Sequence, residues 1–135
     1  MMNNTKEERI AAINKLITFI SERGRRFFYQ KENRVTNEPA VARMILKNKR
    51  VYFVDAWTSE EVYAYQGFSK NGFSHGGTLW ALVLDFSHFV RTGKSANGRH
   101  GYGGLYSGDW GHSDEVEQEI IEYAKQIGYL KNEGE

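Results

Sequence analysis

The residues of this 135-residue chain that could do chemistry gather around one run, FSHGGTLWALVLDFSHFVRTGK, residues 73–94. Gly76, Gly77 and Thr78 lead into an apolar stretch that closes on Arg91-Thr92-Gly93-Lys94. A glycine entrance to a helix presents unpaired backbone N–H groups where a ligand can approach closely, and the helix dipole favours an anion there. Thr78 can cap the helix or bond a phosphate oxygen. The step is not a P-loop, because no Gly-Lys-Ser/Thr follows it, and an ordinary capped helix after a glycine turn accounts for the same residues. The four histidines, His75, His88, His100 and His112, lie near Asp85 and Asp109 in sequence. A metal needs three or four converging ligands, yet only Asp85 and His88 share a helix face. No metal or other cofactor is therefore expected. The chain lacks a GxSxG elbow and a defensible general acid/base pair, so no catalytic residue is assigned.

The remaining residue types suit binding. Phe27, Phe28, Tyr29, Tyr52, Trp57, Tyr63, Tyr65, Phe68, Phe73, Tyr102, Tyr106 and Trp110 offer stacking surfaces, and Arg25, Arg26, Arg43, Arg91 and Arg99 offer forked donors for phosphate. Tyr65, Phe73, Trp110, Arg43, Arg91 and Arg99 are carried forward as site candidates. His75 adds a hydrogen-bonding group beside the entrance. Rings, arginines and an anion-accepting helix end are the parts that a nucleotide pocket needs.

These residues need a scaffold, and the bulk composition suits one domain spanning 1–135. Hydrophobic residues make up 40%, charged residues 26% and aromatics 14%. The absence of cysteine removes disulfides, Cys-ligated zinc and thiol catalysis, and fits a reducing compartment. The start, MMNNTKEERI, has no apolar targeting segment, and no apolar run is long enough to span a bilayer. A cytoplasmic protein without a membrane partner is expected. Net charge is only +1, but residues 1–54 hold 12 Lys/Arg against 5 Asp/Glu while residues 55–135 hold 6 against 12. That asymmetry suits an anionic ligand near the first half or association of unlike faces. The near-neutral total argues against a nucleic-acid polymer as partner.

Element signals follow. Asn4 with Glu7 forms a candidate capping box for a helix striped by Ile10, Ile13, Leu16, Ile17 and Ile20, and Gly24 is placed to stop it. Arg26–Gln30, Val41–Leu46, Val51–Ala56 and Val62–Tyr65 have strand character, with Lys47-Asn48-Lys49 as a tight hairpin connection. A helix over Thr78–Arg91 ends at Gly93. Leu79, Leu82, Val83, Phe86 and Val90 form its core stripe, and Trp80, Ala81, Leu84 and Phe89 fall outside it. A helix apolar nearly all round is covered on two sides, so a second subunit is expected and the protein is read as a homo-oligomer. After a glycine-rich loop a last helix starts near Ser113 or Asp114, is striped by Val116, Ile120, Tyr123 and Ile127, and closes at Gly128. The fold class is α+β: a small antiparallel sheet of three to four strands flanked by an N-terminal helix and two C-terminal helices.

VARMILKNKRVYFVDAWTSEEVYAY, then GFSHGGTLWALVLDFSHFVRTGK, then a glycine-rich loop with WGHSDEVEQEI, together resemble the bacteriophage Thoeris anti-defence sponge family, type one, over residues 41–127. The resemblance implies a protein that is not an enzyme. It would sequester a cyclic ADP-ribose isomer made by a bacterial TIR protein, act in the infected host's cytoplasm and assemble as a homo-oligomer; some relatives also hold cyclic oligonucleotides at a separate site. It places phosphate and ribose contacts on Arg43, Arg91 and the helix entrance, and stacking on Tyr65 or Phe73. His75 and Trp80 stand where the family often has Asn and Arg. His75 can still hydrogen-bond, whereas Trp80 removes a cation and suits an interface anchor instead. The competing readings are a phosphodiesterase-like enzyme using His75, His100 or His112, and a protein-interaction module.

Overall fold

The computed structural model describes residues 5–23, 28–63, 77–94 and 113–130, with backbone alone at 77, 78 and 81. Helix α1 runs Lys6–Ser21. The capping box that starts it sits one residue later than the sequence signal. Thr5 Oγ1 accepts from the Glu8 N–H at 3.0 Å, and the Glu8 carboxylate accepts from the Thr5 N–H at 3.1 Å. Asn4-x-x-Glu7 and Thr5-x-x-Glu8 overlap in the sequence, so both satisfy the pattern. The C-cap is Glu22, and Gly24 lies outside the described residues.

Two antiparallel sheets follow. Strands β1 (Tyr29–Gln30) and β2 (Ala40–Val41) pair, and β3 (Arg43–Lys47), β4 (Arg50–Val54) and β5 (Glu61–Val62) form the larger sheet in that order. Lys47 opposes Arg50, so the β3–β4 loop is only Asn48-Lys49, one residue shorter than the sequence suggested. Both loop residues have positive φ, 53° and 67°, which matches the right-handed twist of a two-residue hairpin. The expected Val41–Leu46 strand is divided at Ala42, whose N–H bonds the Phe28 carbonyl at 2.9 Å. The strand expected at Val62–Tyr65 begins at Glu61, and Ala64 and Tyr65 lie outside the described residues. Between β1 and β2, buried Asn33 donates to the Ala56 carbonyl at 2.7 Å and accepts from the Val35 and Thr36 N–H groups. One side chain thereby fixes the loop to the end of the larger sheet.

Helices α2 (Gly77–Thr92) and α3 (Asp114–Gln126) complete the fold. Ser113 caps α3, and its Oγ accepts from the Val116 N–H at 3.3 Å. Gly93 and Gly128 follow the two helices at φ 75° and 87°, the left-handed termination glycine favours. The core joins Ile13, Leu16, Ile17 and Ile20 of α1 to Met44, Val51 and Phe53 of the sheet, and both to α2 and α3. Phe28 bridges the layers, its ring 6.2 Å from Phe53 and 6.1 Å from Phe86.

Helix α2 is more internal than its sequence stripe implied. Phe89, expected outside the core face, is 1% exposed. The reason is Tyr129: the turn at Gly128 brings its ring edge-on to Phe86 and Phe89, 5.3 Å from each. The chain thus covers Phe89 itself, and Leu84 is partly buried against the same core. Among the described residues no helix is long and apolar enough to cross a membrane.

One side chain crosses the core to hold α2. Arg9, 8% exposed, donates from Nε to the Val90 carbonyl at 2.8 Å. Val90 belongs to the last turn of α2, where carbonyls have no partner within the helix. A guanidinium there satisfies one of them and complements the negative helix end.

Candidate functional site

Helix α2 begins at Gly77, one residue before the Thr78 start read from the sequence, and its first turn carries no acidic residue. The other two helices differ. α1 has Glu7 and Glu8 in its first turn, and α3 has Asp114, Glu115 and Glu117. Those carboxylates complement their own helix dipoles, whereas α2 presents its positive end without one.

Arg91 is exposed in the last turn of the same helix. Fourteen residues of α-helical rise separate it from Gly77, about 21 Å. One small nucleotide cannot touch both ends of α2 in one chain, so a site using Gly77, Thr78 and Arg91 together would need two copies. Arg43 is exposed on β3. Tyr65, Phe73, His75, Gly76, Arg99 and Trp110 lie outside the described residues. His88 is exposed on α2. Among the described residues no three His, Asp or Glu side chains cluster as a metal would require.

Two surfaces lie apart from the helix entrance; the sequence named Tyr52 and Tyr63 of the second as stacking rings but did not pair them. The first is an open cleft of about 350 Å³ lined by Ala11, Asn14, Lys15, Thr18, Phe19, Glu22 and Tyr123. Phe19 stacks flat on Tyr123, with ring centroids 4.3 Å apart. Arg23 lies 3.4 Å over Phe19 and bonds Glu119 at 2.9 Å. This stack fastens α3 to α1, and neither Arg43 nor Arg91, the expected site residues whose side chains are described, is among the residues lining the cleft. Tyr123 had a sequence signal as part of the α3 stripe; Phe19 falls outside the isoleucine stripe of α1, so no periodicity marked it.

The second surface is the sheet face turned away from the core. Opposed residues share a face of an antiparallel pair, and the register sets Lys47 beside Arg50 and Ile45 beside Tyr52. Tyr52 and Tyr63 approach at 5.6 Å, and the Arg50 guanidinium lies 5.4 Å over the Tyr63 ring. Lys47 pairs with Glu61 at 2.8 Å, and this hydrogen bond and charge hold its ammonium above the usual lysine range.

The sequence over nearly its whole length decides the relationship of the protein. The YoqU family matches residues 3–135. The chain belongs to the YoqU family. It is 37% identical over 133 residues to the SPbeta prophage-derived uncharacterized protein YoqU of Bacillus subtilis (strain 168), across 97% of this chain and 89% of that relative. The alignment therefore takes in all the described elements of this YoqU-family chain, so the relative is similar throughout the scaffold and not in one motif alone. No solved structure matches significantly.

Proposed function

We propose that this YoqU-family protein is a phage anti-defence factor that binds a cyclic ADP-ribose-type nucleotide and sequesters it intact. The observation that carries the reading is the α2 entrance, where Gly77 and Thr78 open a helix with no acidic residue in its first turn. That end favours an anion, and the sequence around it is the most specific part of the resemblance to the sponge family. The prophage origin of the YoqU relative supports a phage setting. Tight capture to the nanomolar range needs about 12 kcal/mol, which a nucleotide reaches through several charge-assisted hydrogen bonds and a stacked ring. Arg91 joins the entrance only across two copies, which is why the proposal includes a homo-oligomer.

The test incubates the protein with a cyclic ADP-ribose isomer and measures binding by titration calorimetry. Heat denaturation then releases the ligand for mass spectrometry. Intact ligand from a binding protein supports sequestration; a linear product replaces it with the phosphodiesterase reading. Gly77→Val should abolish binding with circular dichroism unchanged, because it fills the close approach at the entrance. Normal binding by that variant would remove the entrance from the site.

A further inference from the structure

We propose that the outer face of the β3–β4–β5 sheet binds single-stranded nucleic acid, with Tyr52 and Tyr63 stacking on bases and Arg43, Lys47 and Arg50 meeting phosphates. This reading does not rest on nucleotide sequestration.

Side chains alternate between the two faces of each strand. Met44, Val51, Phe53 and Val62 point into the core, so the residues alternating with them point out. Arg43, Lys47, Arg50 and Glu61 are exposed, Ile45, Tyr52 and Tyr63 are half-buried between them, and Val54, opposite Arg43, is buried. The face therefore carries three cations against one carboxylate, and Glu61 is already engaged by Lys47. Overall net charge, which argued against a nucleic-acid partner, averages this face with the acids of α3. A ligand meets the local charge, not the total.

The two ring types of contact are also arranged for a strand. Tyr52 and Tyr63 are adjacent at 5.6 Å and tilted by 44°, a half-sunk aromatic pair on an open surface. Aromatic rings on a sheet, with basic residues beside them, are the general means of binding unstacked bases. Arg43 and Lys47 lie four residues apart on β3, about 13 Å, so the cationic row is longer than one phosphate group. An open face of this kind encloses no small ligand but can follow a strand. Charge complementarity and the ring pair together favour a polyanion with planar groups over an apolar protein partner.

The experiment measures fluorescence anisotropy of labelled oligothymidylate and oligoadenylate with the whole protein over a salt series. Wild type should bind single strands more tightly than duplex, with affinity falling as salt rises. The Arg43→Gln/Arg50→Gln variant should lower the log–log salt slope by about 1.4, since each phosphate contact to a single strand contributes about 0.7. Tyr63→Ala should weaken binding at least about five-fold through lost stacking. Lys15→Gln, on the exposed side of α1, should bind as wild type does. Circular dichroism checks that each variant is folded; if Tyr63→Ala is not, Tyr63→Leu replaces it. No binding at low salt overturns the proposal, as does a salt slope unchanged in the double variant. Equal affinity for duplex, or displacement by AMP as readily as by oligonucleotide, also overturns it.

Discussion

Replacing Arg9 by methionine should destabilise the protein more than replacing any exposed polar residue of α1 by an apolar one. Arg9 is buried, and its Nε reaches the Val90 carbonyl at 2.8 Å. A hydrogen bond to a charged group contributes about 1.5–3 kcal/mol, and methionine keeps much of the aliphatic stem's packing. A loss of about 2 kcal/mol is expected, mostly from leaving the Val90 carbonyl without its partner. For a chain of this length that corresponds to a fall in Tm of roughly 8 °C. Gly93 provides an internal check. A Cβ there would sit 3.1 Å from Arg9 Nη1, and φ is +75°, so Gly93→Ala carries both a left-handed backbone cost of about 1 kcal/mol and a steric one. Only the steric part should vanish in the Arg9→Met background. Urea denaturation of wild type, both single variants and the double variant measures this cycle. A structural role for the Arg9–Val90 bond fails if Arg9→Met changes stability by less than about 0.5 kcal/mol, the ordinary range for a surface substitution. It also fails if Gly93→Ala costs the same in both backgrounds.

Three further outcomes are expected. Tyr129 is fully buried with its hydroxyl unpartnered, and burial, then the nearby Asp85 charge, pushes its pKa well above the usual value; Tyr129→Phe should leave stability equal or higher by up to about 1 kcal/mol, and a clear loss in urea melts would contradict this. Asn14 donates to the Met44 carbonyl at 3.0 Å and accepts from its N–H at 2.6 Å; Asn14→Ala should cost about 1–3 kcal/mol, with a fall in Tm as the readout. The Glu117 carboxyl is raised by burial and then by Asp114, so the folded state holds this proton more firmly than the unfolded state. Its contribution favours folding below the usual carboxylate range and is lost as pH rises through the raised value; Glu117→Gln should flatten that part of the stability–pH curve.

Local signals were readable because neighbours in sequence produce them. The stripe of α1, the Ser113 cap and the glycines at 93 and 128 appear at their expected places, whereas the buried face of α3 is Ile120, Ile121 and Ala124, with Val116, Tyr123 and Ile127 only partly buried at its margin. The hairpin missed by one residue because Lys47 itself pairs with Arg50. The Asn4/Thr5 ambiguity is a local one too: overlapping patterns leave the choice to backbone geometry. Arg9 and Asn14 were illegible for another reason. Their partners, Val90 and Met44, lie 81 and 30 residues away, and no periodicity reports such contacts. Arg91 had the composition of a helix-ending cation, yet the buried cation at that end comes from α1. Phe89 was misassigned because its cover, Tyr129, arrives from beyond α3. Of the expected site, the Gly77–Thr78 entrance is the part whose backbone the sequence located; the separation of Arg91 from it follows from helix length alone.

The Asn14 contact also closes part of an exposed sheet edge. An edge strand normally offers its outward N–H and C=O groups to any neighbouring strand. On β3 that edge is occupied: Met44 is answered by Asn14, and just upstream the Ala42 N–H is answered by Phe28. A helix side chain stands in for the missing fourth strand. Addition of a further strand at Met44 is thus blocked by the α1 side chain. Loss of that one amide would leave the Met44 N–H and C=O open to a strand from another chain, so Asn14 protects this edge against aggregation as well as docking α1.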